Sequence, residues 1–151
     1  MNNQMTLELS ALSENESFAR SAVAAFALPL RPSFSELSDI KTAVSEAVTN
    51  SIVHAYDGGR EGAIVKIVCR LVKAAEGGEL HIDVVDFGKG IADVSQALQP
   101  FFTTLSGEER SGMGFTVMQT FMSDFCVTSE RGKGTRVTMM KRIVGENEER
   151  V

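Results

Sequence analysis

Two short runs constrain this chain more than any other feature. Val65, Ile67, Cys69 and Leu71 alternate with polar or smaller residues, and Leu80, Ile82 and Val84 do the same after Glu76-Gly77-Gly78-Glu79. A period of two places every second side chain on one face, and a glycine pair between two such runs turns the chain back on itself. The pattern predicts an antiparallel hairpin with one apolar face at the centre of a sheet. That face needs a cover of helices or a second sheet.

Helices are available. Ser13 and Glu16 stand three apart, the capping-box spacing, ahead of Phe18, Ala22, Val23 and Phe26, and Pro29 and Pro32 stop that segment. Ser33 and Glu36 repeat the spacing and open a second helix expected to run to about Ala55, where Asp57-Gly58-Gly59 ends it. Its apolar stripe is Leu37, Ile40, Val44, Val48 and Ala55, while Glu46, Asn50 and His54 recur at i, i+4 on another side. Met5, Leu7, Leu9 and Ala11 predict a strand before these helices. Gly88 to Gly114 has the make-up of a long surface loop, and a short helix after Gly112-Met113-Gly114 carries Phe115, Met118 and Met122 on one face. Phe125–Glu130 and Thr135–Lys141 predict a last hairpin across Arg131-Gly132-Lys133-Gly134. The order predicts an α+β fold: a two-layer α/β sandwich with a mainly antiparallel sheet and helices on one face. Residues 1–144 are expected to form one domain, and the charged stretch 145–151 is expected to be a frayed tail.

Composition enters as a set of exclusions. With 151 residues, 43% of them hydrophobic, the chain can build one ordinary core without metal or disulfide staples. A net charge of −5 has the wrong sign for broad attraction to nucleic acid. The longest apolar run, Ala22 to Leu30, contains Pro29 and is far too short to cross a bilayer. No signal-peptide pattern opens the sequence, so a cytoplasmic protein is expected. Cys69 and Cys126 both fall in strand-like runs and are expected to be small buried hydrophobes.

Four separated pieces could carry chemistry. Glu46 to Asn50 supplies side-chain oxygens suited to a hydrated Mg²⁺ ion, and a Glu there could deprotonate a hydroxyl. The same residues also suit an exposed helix face. Asp86-Phe87-Gly88-Lys89-Gly90 continues the parity of Leu80, Ile82 and Val84, so the Asp86 carboxylate faces the apolar side. Such a group needs donors, from a ligand's amino group or from its own backbone in a turn. Gly112-Met113-Gly114 at a helix mouth suits a phosphate, or a plain loop-to-helix turn, with Arg110 upstream as a cation that could pair with a phosphate or remain solvated. Gly134-Thr135 is the fourth piece. There is no P-loop, since Gly132-Lys133-Gly134-Thr135 has the wrong spacing, and Asp86-Phe87-Gly88 lacks the companion motifs of a eukaryotic-type protein kinase.

All four pieces, in this order, resemble the Bergerat fold of the GHKL superfamily. More narrowly, Ser13 to Arg20, Val44 to Asn50 and Arg110 to Phe115 resemble the anti-sigma-F factor family of endospore-forming bacteria, over about Met1 to Lys141. The resemblance implies that Asn50 ligates Mg²⁺ and that Glu46 is the general base. It implies that Asp86 receives the adenine amino group, with Gly88 and Gly90 allowing close approach of the base and Thr135 supporting Asp86. Gly112, Met113 and Gly114 would hold ATP phosphates, and Arg110 would contact the γ-phosphate. It further implies a homodimer that holds sigma factor F inactive, through contacts such as Glu16 and Arg20. The same protein would phosphorylate a serine of an anti-anti-sigma factor. An ATP-gated binding module without phosphotransfer, or a sister kinase acting on a stress-response sigma factor, is the alternative.

Overall fold

The computed structural model describes residues 2–57, 60–98 and 114–145. Its elements are β1 (Asn2–Ser10), α1 (Asn15–Ala27), a 3₁₀ turn (Leu28–Leu30), α2 (Phe34–Asn50), a π-turn (Ser51–Ala55), β2 (Ile64–Lys73), β3 (Gly78–Asp86), α3 (Val94–Ala97), α4 (Gly114–Phe121), β4 (Asp124–Glu130) and β5 (Gly134–Ile143). The strands form one antiparallel sheet in the order β1-β2-β3-β5-β4. The α+β class and the two-layer arrangement read from the sequence are therefore observed.

The β2–β3 hairpin pairs Val65 with Asp86, Cys69 with Ile82 and Leu71 with Leu80, and these side chains are buried. Met139 and Val137 of β5 continue the apolar face across the sheet. Over that face lie α1, α2 and α4, with α2 touching both of the others. Ala19, Val23 and Ala27 of α1 and Ile40, Val44, Ala47 and Val48 of α2 fill the interface with Met118 of α4. Small residues at Ala19, Ala27, Ala43 and Ala47 let the layers approach closely. No helix among the described residues is long and apolar enough to cross a membrane.

The second capping box forms as read. Ser33 Oγ accepts from the Glu36 N–H at 3.1 Å, and Glu36 Oε1 accepts from the Ser33 N–H at 2.9 Å. Glu36 Oε2 also accepts from Val144 N–H at 3.1 Å, tying the end of the sheet to the start of α2. The first capping box does not form. Glu14 is the N-cap of α1 and makes no side-chain cap. Glu16 instead turns outward to α2, where it accepts from Thr49 Oγ1 at 2.9 Å.

Three further expectations are corrected. The second α-helix stops at Asn50 and continues as a π-turn, closed by a Tyr56 N–H to Ser51 carbonyl bond of 3.2 Å. The stretch after Gly88 is not wholly irregular, because Asp93 caps the short α3 by accepting from Gln96 N–H at 3.0 Å. Cys69 is buried, but Cys126 is exposed on β4, since its position in the edge strand turns it to the open face of the sheet. At the C-terminal end, Gly145 is still buried against Gly77. Residues 146–151 lie outside the described residues.

Candidate functional site

The π-turn at the end of α2 organises the site. A π-turn breaks the α-helical phase, and here it aims consecutive residues at the end of β3. Ser51 Oγ lies 3.2 Å from Asp86 Oδ2. The Tyr56 hydroxyl accepts from the Phe87 N–H at 2.7 Å and donates to the Ile64 carbonyl at 2.8 Å. The Ala55 carbonyl accepts from Lys89 N–H at 3.1 Å. One short segment thus grips four consecutive residues, Asp86 to Lys89; its hold on Gly88 is by packing.

Asp86 faces the core, as its parity requires, and is 5% exposed. Burial raises its carboxyl above the usual range, while donation from Gly88, Ser51 and Thr135 works in the opposite direction. Oδ1 accepts from the N–H groups of Gly88 at 3.1 Å and Thr135 at 3.2 Å. The Gly88 bond is the local turn cap that a lone Asp-x-Gly suggests. The Thr135 bond follows from the β3–β5 register, which sets Asp86 opposite Thr135. Thr135 Oγ1 in turn lies 2.8 Å from Ser129 Oγ, and that hydroxyl accepts from Ile91 N–H at 2.7 Å.

The glycines around Asp86 are explained by protein contacts. A Cβ on Gly88 would lie 2.4 Å from the Ala55 carbonyl oxygen. Gly90 has φ +73° and a Cβ there would lie 2.2 Å from the Glu130 carbonyl oxygen. The close approach visible at both positions is backbone against backbone.

The second half of the site lies one turn back along α2. A Cβ on Gly114, the first residue of α4, would stand 3.0 Å from Asn50 Nδ2, 3.2 Å from Asn50 Oδ1 and 3.2 Å from Glu46 Oε2. Asn50, Glu46 and the N-terminus of α4 therefore meet at one point. A carboxylate and an amide oxygen fit a hydrated Mg²⁺ ion that takes its remaining ligands from water and phosphate, while the positive end of α4 suits the phosphate itself. His54 follows Asn50 by four residues but sits inside the π-turn, out of the α-helical phase that the i, i+4 spacing implies. Arg110, Gly112 and Met113 lie outside the described residues.

Glu16 and Arg20 occupy a different place, on a groove of about 510 Å³ between α1 and α2. Arg20 Nη1 is 3.5 Å from Glu16 Oε1 and 3.5 Å from Ser45 Oγ. Phe34 and Leu37 line one part of the groove and Glu46 another, so the groove reaches the Glu46–Asn50 end of the site.

Ser51, Tyr56, Ala55 and Ser129 were missed by sequence reasoning. Ser51 directly follows Asn50 and was detectable as a polar residue on a helix bound for the core. The site contacts of Tyr56 and Ala55 carried no signal, because Phe87 and Gly88 lie 31 and 33 residues away along the chain and the π-turn that aims them has no pattern.

The geometry can be set beside known proteins. A model of the histidine kinase-like ATPase domain matches residues 9–141. The chain is 54% identical over 142 residues to an anti-sigma F factor of Thermoanaerobacter sp. (strain X514), covering 93% of this chain and 94% of that one. It is 51% identical over 140 residues to the anti-sigma F factor of Clostridium botulinum (strain Alaska E43 / Type E3), again covering 93% and 94%. Among solved structures, the histidine kinase domain of the Erythrobacter litoralis EL346 blue-light activated histidine kinase superposes with a TM-score of 0.54 at 19% identity. This chain spans 60% of the length of that one, and 87% of this chain is covered. At that identity the likeness concerns the fold.

Proposed function

Because the chain belongs to the anti-sigma F factor family of histidine kinase-like ATPase domains, we propose that it binds and inhibits sigma factor F and phosphorylates a serine of the anti-anti-sigma factor with ATP. The observation that carries this reading is the convergence of two groups where α2 passes into the π-turn: the Glu46–Asn50 pair meets the start of α4, and the next residue, Ser51, touches Asp86. Asp86 accepts the amino group of adenine, with Thr135 N–H and Gly88 N–H holding its other oxygen. Asn50 would hold Mg²⁺, which would neutralise phosphate charge, with the Glu46 carboxylate close beside it. The N-terminus of α4 at Gly114 faces the same charge, and the family resemblance assigns phosphate contacts to Gly112, Met113 and Arg110.

Glu46 accepts the proton of the attacking serine hydroxyl as the new oxygen–phosphorus bond forms and ADP departs. The groove lined by Glu16, Arg20 and Glu46 gives a protein segment a route to that carboxylate. Names of the relatives support sigma F over a stress-response sigma factor. Family membership alone carries the homodimer and the cytoplasmic location.

The test mixes the protein with the anti-anti-sigma factor, ATP and Mg²⁺ and follows the partner's mass. Wild type adds one phosphoryl group, and Glu46→Gln slows that transfer by about 10²- to 10⁴-fold. A wild type that adds none defeats the kinase reading and leaves an ATP-gated binding module.

A further inference from the structure

Apart from the Tyr56 phenol and the Cys69 thiol, Ser51 and Asp86 are the buried polar side chains among the described residues, each 5% exposed. They are each other's partners. The two carboxylate oxygens of Asp86 are not equivalent. Oδ1 holds two backbone N–H groups, whereas Oδ2 is held only by the Ser51 hydroxyl among the described bonds. A carboxylate oxygen has room for two donors, so Oδ2 is where an incoming donor lands.

Ser51 has one proton and two acceptors within reach, Asp86 Oδ2 at 3.2 Å and the Ala47 carbonyl at 3.3 Å. An ionised carboxylate is the stronger acceptor, so the proton goes to Oδ2. Tyr56, the other titratable side chain near this carboxylate, is committed to Phe87 and Ile64.

We infer that Ser51 is a positioning residue that sets the nucleobase preference of the site: by donating to Oδ2 it keeps Asp86 an acceptor there, selecting a base that presents an amino group over one that presents a carbonyl. The inference rests on the nucleotide reading given above. Without the hydroxyl, the buried carboxylate loses the one observed donor to Oδ2. The neutral carboxyl then becomes easier to form. A proton on Oδ2 makes that oxygen a donor, which suits a 6-oxo purine and opposes a 6-amino purine.

The experiment compares ATP and ITP affinities by calorimetry for the full chain and for Ser51→Ala, Ser51→Thr and Asp86→Asn. Alanine is a strong helix former of smaller volume, so Ser51→Ala folds, which urea unfolding checks. The ATP-over-ITP preference of Ser51→Ala is expected to fall about tenfold. Ser51→Thr, which retains the hydroxyl, is expected to restore the preference. A Ser51→Ala protein that loses both nucleotides equally, or neither, overturns the inference, because a packing role would not distinguish the bases. Failure of the underlying reading is seen separately: Asp86→Asn would then bind ATP as wild type does, whatever Ser51 does.

Discussion

At Gly88 one missing methyl group decides whether the Asp86 end of the site can form. The residue is not held in the left-handed region, so the need for glycine is spatial. A Cβ would stand 2.4 Å from the Ala55 carbonyl oxygen and 2.6 Å from the Ala55 Cβ, both on the π-turn. Neither neighbour is the far end of a flexible side chain, so the Asp86–Lys89 turn itself has to move. Gly88→Ala is therefore expected to cost about 1–3 kcal/mol in urea unfolding and to weaken ATP binding by about tenfold or more as Asp86 shifts. A variant that matches wild type in both measurements would show that the contact is not kept in solution.

Among the elements, Lys141 of β5 joins parts that the sheet alone would not hold. Its ammonium lies 2.9 Å from Asp39 Oδ2 on α2 and donates to the carbonyl of Phe121, the last residue of α4. A cation at a helix C-terminus meets the negative end of the dipole and an otherwise unpaired carbonyl. The Lys141 side chain is 13% exposed and that of Asp39 25%, so little solvent screens the pair. Lys141→Met keeps the aliphatic stem but leaves the Asp39 carboxylate and the Phe121 carbonyl without this donor. A loss of about 1–3 kcal/mol is expected, read as a lower urea midpoint at unchanged slope. An unchanged midpoint would mean that apolar packing alone holds α2 and α4 on the sheet. Because α2 carries Glu46 and Asn50 and α4 begins at Gly114, a loosened pair also draws Gly114 away from those two side chains.

For the whole molecule, buried ionisable groups set the pH limits of stability. Burial, with a smaller contribution from the Asp83 carboxylate, pushes the Cys69 thiol from 9.0 up to about 12. The Tyr56 phenol is also raised, chiefly by burial. Both groups are neutral in the folded state where the unfolded chain has begun to ionise. The unfolded state therefore binds fewer protons, and stability falls as pH rises. For Cys69 the contribution is whole below pH 9 and is lost progressively towards about 12. The expected result is an alkaline decline in unfolding free energy that is shallower in Cys69→Ala, by up to about 1.4 kcal/mol per pH unit. Equal slopes in the two proteins would refute the assignment. The raised Asp86 carboxyl acts in the same sense at acid pH, costing stability as it ionises through its elevated range.

The residues themselves determined the sheet and its cover. Strict alternation in β2 and β3 leaves one register in which the apolar face is buried, and it carries Asp86 to that face without help from any distant contact. The Ser33–Glu36 cap was equally legible, because both its partners lie within one helical turn. The same spacing at Ser13 misled, since Glu16 found a better partner in Thr49 across the helix interface. Cys126 misled for a related reason: apolar character in an edge strand does not say which face is covered. Only the tertiary structure decided that α2 ends in a π-turn, and with it the contacts of Ser51, Ala55 and Tyr56 to the Asp86–Lys89 turn. Local patterns report what a residue buries, whereas a site is made where segments distant in sequence meet, and no periodicity records that meeting.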